Sequence, residues 1–93
     1  MSFPKLQKLC DDIVMRLRSN GCRDEAADLE FQSQRLSEVS TTADALQQII
    51  VRCHPKWLGD LRMPNEQNNV VWVTALGRVA REAERAARSL RRG

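Results

Sequence analysis

Tyrosine is absent from this chain, histidine occurs once, and the only aromatic rings belong to two Phe and two Trp. A lone His54 rules out a histidine-based acid/base pair and leaves any zinc site without a second imidazole. Glycine appears four times and never in a cluster, so no glycine-rich loop can cradle a phosphate. The rings are too few and too scattered to form a stacking platform for nucleobases. No segment approaches the ~20 consecutive apolar residues that a membrane helix needs, and Met1 to Lys8 lacks the apolar core of a signal peptide. The three cysteines cannot all pair within the chain, which favours reduced thiols in the cytoplasm. From these gaps we expect no catalytic residues, no metal, no cofactor and no membrane contact.

What remains is helical in character. The chain is rich in Leu, Ala, Arg, Glu and Gln, no run alternates at period two, and its 93 residues suit one all-α domain. The expected architecture is a small antiparallel four-helix bundle with a long basic C-terminal helix. Helices are expected at about 3–20, 23–39, 42–54 and 66–91, with a connector over 54–65. Ser2 is the expected N-cap of the first helix, Pro4 lies in its first turn, and Asn20-Gly21 supplies a left-handed stop. Thr41 with Asp44 three residues on forms a weak capping box for the third. Cys10–Leu17 and Leu46–Cys53 echo each other in pattern, as two amphipathic helices with the same buried side would.

The last third of the chain is the most informative. Val73, Leu76, Ala80, Ala83, Ala87 and Leu90 step in threes and fours and so form one helical stripe. Arg78, Arg81, Arg85, Arg88 and Arg92 follow the same stepping on the other side. Residues 78–92 hold six Arg against Glu82 and Glu84, a local charge of +4 in a chain of +3, so everything else sums to −1. The Arg row reads as a solvated, helix-supporting face with i,i+4 pairs Arg78–Glu82 and Glu84–Arg88, or as a surface for an acidic partner. Beyond Ala83 the helix is expected to outrun its neighbours, which would leave Ala87 and Leu90 to dock on a partner.

Two other features stand out. Phe31 lies about 150° around the second helix from Leu29 and Leu36, which places it in water. In Cys53-His54-Pro55-Lys56-Trp57-Leu58, adjacent helical residues point about 100° apart, so Cys53 faces the core while His54 does not. His54 is expected to cap the third helix as a cation, and Trp57, Leu58 and Trp72 to anchor the core. The functional expectation is a non-catalytic protein–protein interaction module, an adaptor or regulatory subunit able to form a homodimer. Its partner-binding residues would be Phe31, Arg81, Arg85, Arg88, Ala87 and Leu90, with the arginines meeting an acidic protein surface. A nucleic-acid-binding protein using the Arg stripe against phosphates is the alternative, and an immunity- or antitoxin-type inhibitor a further one.

Overall fold

In the computed structural model, which describes residues 3–92, Pro4 opens the first helix, α1 (Pro4–Ser19). Its missing N–H is harmless in a first turn, where no acceptor awaits it. The expected cap Ser2 lies outside the described residues. At the other end Gly21 adopts φ +79. Its N–H donates to the Arg18 carbonyl at 3.1 Å, and the Cys22 N–H donates to Leu17 at 2.9 Å. This paired closure satisfies carbonyls that a helix end otherwise leaves open, and a residue without Cβ makes it cheap.

Helix α2 (Arg23–Arg35) begins at once, with Asp24 and Glu25 in its first turn. It stops at Arg35 instead of continuing to Val39, because two hydroxyls draw the chain into turns. Thr41 Oγ1 donates to the Arg35 carbonyl at 2.8 Å, and Thr42 Oγ1 donates to the Glu38 and Leu36 carbonyls at 2.8 and 3.1 Å. The same bonds explain why no capping box forms. The Thr41 hydroxyl is used to close α2, and Asp44 receives the Arg35 guanidinium. Helix α3 (Thr42–Arg52) follows, then a connector with a single 3₁₀ turn, Leu58–Asp60.

The last helix, α4 (Asn69–Arg92), starts later than the expected 66. Asn68 is its cap, since its Oδ1 accepts the Val71 N–H at 2.9 Å. The preceding residues are held elsewhere. Asn20 Oδ1 accepts the Asn65 N–H at 2.6 Å, and the Arg16 guanidinium donates to Glu66 at 3.1 Å. The connector is therefore tied to the C-terminal end of α1.

The protein is all-α, with four α-helices and no strand among the described residues. α1 packs on α2 and α4, and α3 packs on the same two. One core runs through all four, with Leu6, Ile13, Leu17, Leu29, Leu46, Ile49, Trp72, Leu76 and Val79 among its fully buried side chains. The Cα radius of gyration is 12.7 Å, and the longest dimension, 41 Å, is close to the ~36 Å that 24 helical residues span.

The buried face of α4 departs from the expected stripe. Its buried residues are Trp72, Ala75, Leu76, Val79, Ala83, Ala86 and Ala87, so the face is turned about 50° from the expected stripe, sharing Leu76, Ala83 and Ala87 with it. Bulk decides this. Burying Trp72 and Val79 removes far more apolar area from water than burying Ala80 would. Trp72 also satisfies its own polar atom there, for Nε1–H donates to the buried Leu58 carbonyl at 2.9 Å. No buried side-chain polar atom lacks a partner among the described residues.

Candidate interaction surface

Turning α4 this way aims Arg81, Arg85 and Arg88 directly away from the core. All three are exposed, as is Arg78. They border an open groove of about 570 Å³ between α1 and α4, with Lys5 on the opposite wall and the half-buried Leu9 as its apolar floor. Glu82 and Glu84 also line it, so its formal charge is five cations against two carboxylates, or +3. A second groove of about 450 Å³ shares Lys5, Glu82 and Arg85 and extends the trough along the same seam to Ser89.

The ion pairing along this seam differs from the one expected. Glu82 pairs with Arg85 at 2.8 Å and with Lys5 at 3.6 Å, not with Arg78. Hydrogen bonding from Arg85 is the main reason its carboxyl is held below the ordinary range. No Glu84–Arg88 pair forms either. Among the described residues, no carboxylate lies within 4.0 Å of Arg78, Arg81 or Arg88. Elsewhere the arginines that face another helix are neutralised. Arg16 meets Asp12 and Glu66, Arg18 meets Glu30, Arg35 meets Asp44, and Arg52 meets Asp28. Among the described residues Arg23 and Arg62 are likewise exposed and unpaired, so what sets α4 apart is the clustering of Arg78, Arg81 and Arg88 on one face, around the paired Arg85.

The remaining expected contact residues lie elsewhere. Ala87 is only 9% exposed and belongs to the core, and Leu90 packs against that core. The expectation that α4 outruns its neighbours past Ala83 is corrected, because α3 covers this stretch. Ala43, Leu46 and Gln47 of α3 share a small groove with Ala87 and Leu90. Phe31 is 57% exposed, with the Arg35 guanidinium 5.9 Å from its ring centre. It sits on α2, whose principal contacts are with α1 and α3, so it does not join the Arg row on α4.

Sequence reasoning missed Trp57 as a surface residue. It is 55% exposed instead of plugging the core, because the next residue, Leu58, takes the buried slot beside Trp72. Arg52 lies 6.0 Å from the Trp57 ring while paired to Asp28 on α2, and Phe31 is one helical turn beyond Asp28. The α2–α3 side therefore presents two exposed rings, each with an arginine over its face. The adjacency of Arg52 to a connector aromatic was the available signal, and nothing local in the sequence separates Trp57 from Trp72.

The Cys53–His54 pair divides as the helix geometry requires. Cys53 is buried and His54 exposed, and His54 Nδ1 accepts the Lys56 N–H at 3.0 Å, so the ring holds a local turn instead of capping α3. Burial pushes the Cys10 and Cys53 thiols up to about 12, from an ordinary 9.0. Both are protonated at neutral pH and are poor nucleophiles there. Because the folded values are raised, the unfolded chain ionises first, so stability is full below pH 9 and declines as pH rises from 9 towards 12. The urea midpoint is expected to hold near neutrality and then fall, each thiol contributing about 1.4 kcal/mol per pH unit. Cys53→Ala should remove about half of the thiol-linked slope. Equal slopes for variant and wild type would contradict this.

Among the described residues, no helix is long and apolar enough to cross a membrane, and no group of three or more His, Cys, Asp or Glu is placed to hold a metal ion. The chain matches no known protein family, no curated protein and no solved structure.

Proposed function

We propose that this protein is a non-catalytic interaction module that holds an acidic protein partner in the α1–α4 groove and associates with itself through the Phe31 and Trp57 side. One observation carries the reading: Arg78, Arg81 and Arg88 are exposed without carboxylate partners among the described residues and form a row with Arg85, which Glu82 holds, on a protein that neutralises its interhelical arginines. A row of like charges is mildly unfavourable in an isolated helix and becomes favourable when an anionic surface faces it. The protonated thiols and the occupied His54 nitrogen supply no activated nucleophile or base, in keeping with a binding role and a reducing cytoplasmic setting.

In this reading the four helices alternate in direction as an antiparallel bundle. The cross-contacts support that order: Lys5 with Glu82 and Arg16 with Glu66, Gln7 with Ser37 and Arg18 with Glu30, Arg35 with Asp44 and Arg52 with Asp28. In each set the residue earlier in one element meets the later position of the other.

A second reading has the same arginines tracking a phosphate backbone. Glu82 and Glu84 weigh against it, since a uniformly anionic strand would pass over both. Sizing chromatography with light scattering, recorded at 260 and 280 nm, separates the readings. We expect a mass above the 10.6 kDa monomer, no excess absorbance at 260 nm, and return to monomer on Phe31→Ser. A mass unchanged by Phe31→Ser removes Phe31 from the self-association surface. Nucleic acid that salt strips away would replace the protein partner with a polyanion.

A further inference from the structure

We infer that the occupant of the α1–α4 trough is an acidic amphipathic helix, an inference that rests on the interaction-module reading and specifies its partner. The spacing of the cations is the first reason. Arg78, Arg81, Arg85 and Arg88 step by three, four and three residues, which places them at rises of about 4.5, 6 and 4.5 Å along α4. A second helix lying alongside offers carboxylates with the same stepping, so pairs to Arg78, Arg81 and Arg88 stay in register over about 15 Å, with Arg85 between them held by Glu82. An extended strand repeats on one face every ~6.7 Å, and the same number of steps covers ~20 Å, so its charges fall out of step before the row ends.

The walls of the site give the second reason. The trough runs between two helices, from Arg78 to Ser89, which is about 16 Å or three turns. The half-buried Leu9 and Phe3 border it over the buried Leu6 and Ala86, so apolar residues on the inner edge of the incoming helix have somewhere to pack. Two helices flanking a seam with small and apolar side chains at its floor accept a third helix as a ridge in a groove, at an interaxial distance of about 8–10 Å. The cations Lys5, Arg78, Arg81 and Arg88 then lie at the rim, where water remains and charge sets orientation and register more than affinity.

Glu84 gives the third reason. It is exposed within an otherwise cationic lining and is paired with no cation among the described residues. A polyanion of uniform charge meets it with repulsion. A helix can carry carboxylates along one edge and a neutral or basic side chain opposite Glu84, which makes this residue a filter against indiscriminate anions.

The test uses the full chain and three probes at low ionic strength. The first is a synthetic helix-forming peptide of about 14 residues, with glutamates in three–four–three spacing and leucines on the adjoining edge. The second is its scrambled version, and the third a single-stranded oligonucleotide of equal charge. Affinities are read by fluorescence polarisation and peptide helicity by circular dichroism. We expect the patterned peptide to bind at least ~10-fold more tightly than the scrambled one and to gain helicity on binding, and Leu9→Ser to erase most of that ratio. Equal affinity for the two peptides, both above the oligonucleotide, overturns the helix assignment and leaves the protein-partner reading standing. Tighter binding of the oligonucleotide overturns both, and so does the absence of binding by every probe.

Discussion

Replacing Trp72 with alanine should cost about 4–6 kcal/mol, a large share of the stability of a domain this size. The side chain is fully buried in the core that all four helices share, and its indole N–H meets the 3₁₀ turn. Truncation of a buried Trp removes its transfer free energy and leaves a cavity that the helices close only in part, roughly 3–5 kcal/mol. It also takes the Nε1–H donor at 2.9 Å from the Leu58 carbonyl, which keeps only the Leu61 N–H at 3.2 Å, adding up to about 1 kcal/mol. Domains of this length hold about 5–14 kcal/mol in total, so the variant should lose at least about a third of its stability. Urea titration followed by far-ultraviolet circular dichroism should show the midpoint falling by roughly 3 M. The matched control is Trp57→Ala, where an exposed ring stacked on Arg52 is worth less than about 1 kcal/mol. Similar losses for the two tryptophans would refute the assignment of Trp72 to the core and Trp57 to the surface.

Reversing charge at Arg81, Arg85 and Arg88 together to Glu should weaken binding of the acidic helical peptide by more than ~100-fold at low salt. The fold should be untouched, because all three side chains point away from the core and only Arg85 has an internal partner, Glu82. The variant changes the formal charge from +3 by six units to −3, so a part of the loss is long-range repulsion. Two comparisons isolate the local share. The Gln triple variant removes the contacts without adding repulsion and should lose about tenfold. Arg23→Glu, at the start of α2 and far from the trough, should change the affinity less than twofold. Raising salt should weaken wild-type binding towards that of the Gln variant, as screening removes what the arginines contribute. Unchanged affinity in the Gln triple would make the row a solvated surface and nothing more.

Some helical readings that depended on neighbours in the chain agree with the molecule, whereas the Thr41–Asp44 capping box and the Arg78–Glu82 and Glu84–Arg88 pairs do not form. Gly21 stops α1 and Asp24 and Glu25 open α2, because caps and charge–dipole contacts act within one turn. The apolar faces of α1 and α3 and the exposed arginine row were legible for the same reason: a 3.6-residue period fixes what shares a face.

Tertiary structure decided the rest, and in each case through competition for space or tethering across many residues. Whether Trp57 or Leu58 fills the slot beside Trp72 depends on which can leave a carbonyl at the indole, and no local pattern encodes that. The buried face of α4 turned towards the bulk of Trp72 and Val79, and the cover of α3 over the far end of α4 took Ala87 out of the candidate surface. The late start of α4 follows from Asn65 and Glu66 being held by Asn20 and Arg16, some 45–50 residues away in the chain. The Arg row itself was written in the sequence. That Arg78, Arg81 and Arg88 lack internal partners while Arg35 and Arg52 are matched was decided by which helices came to lie side by side, since an ion pair between elements exists only after they pack.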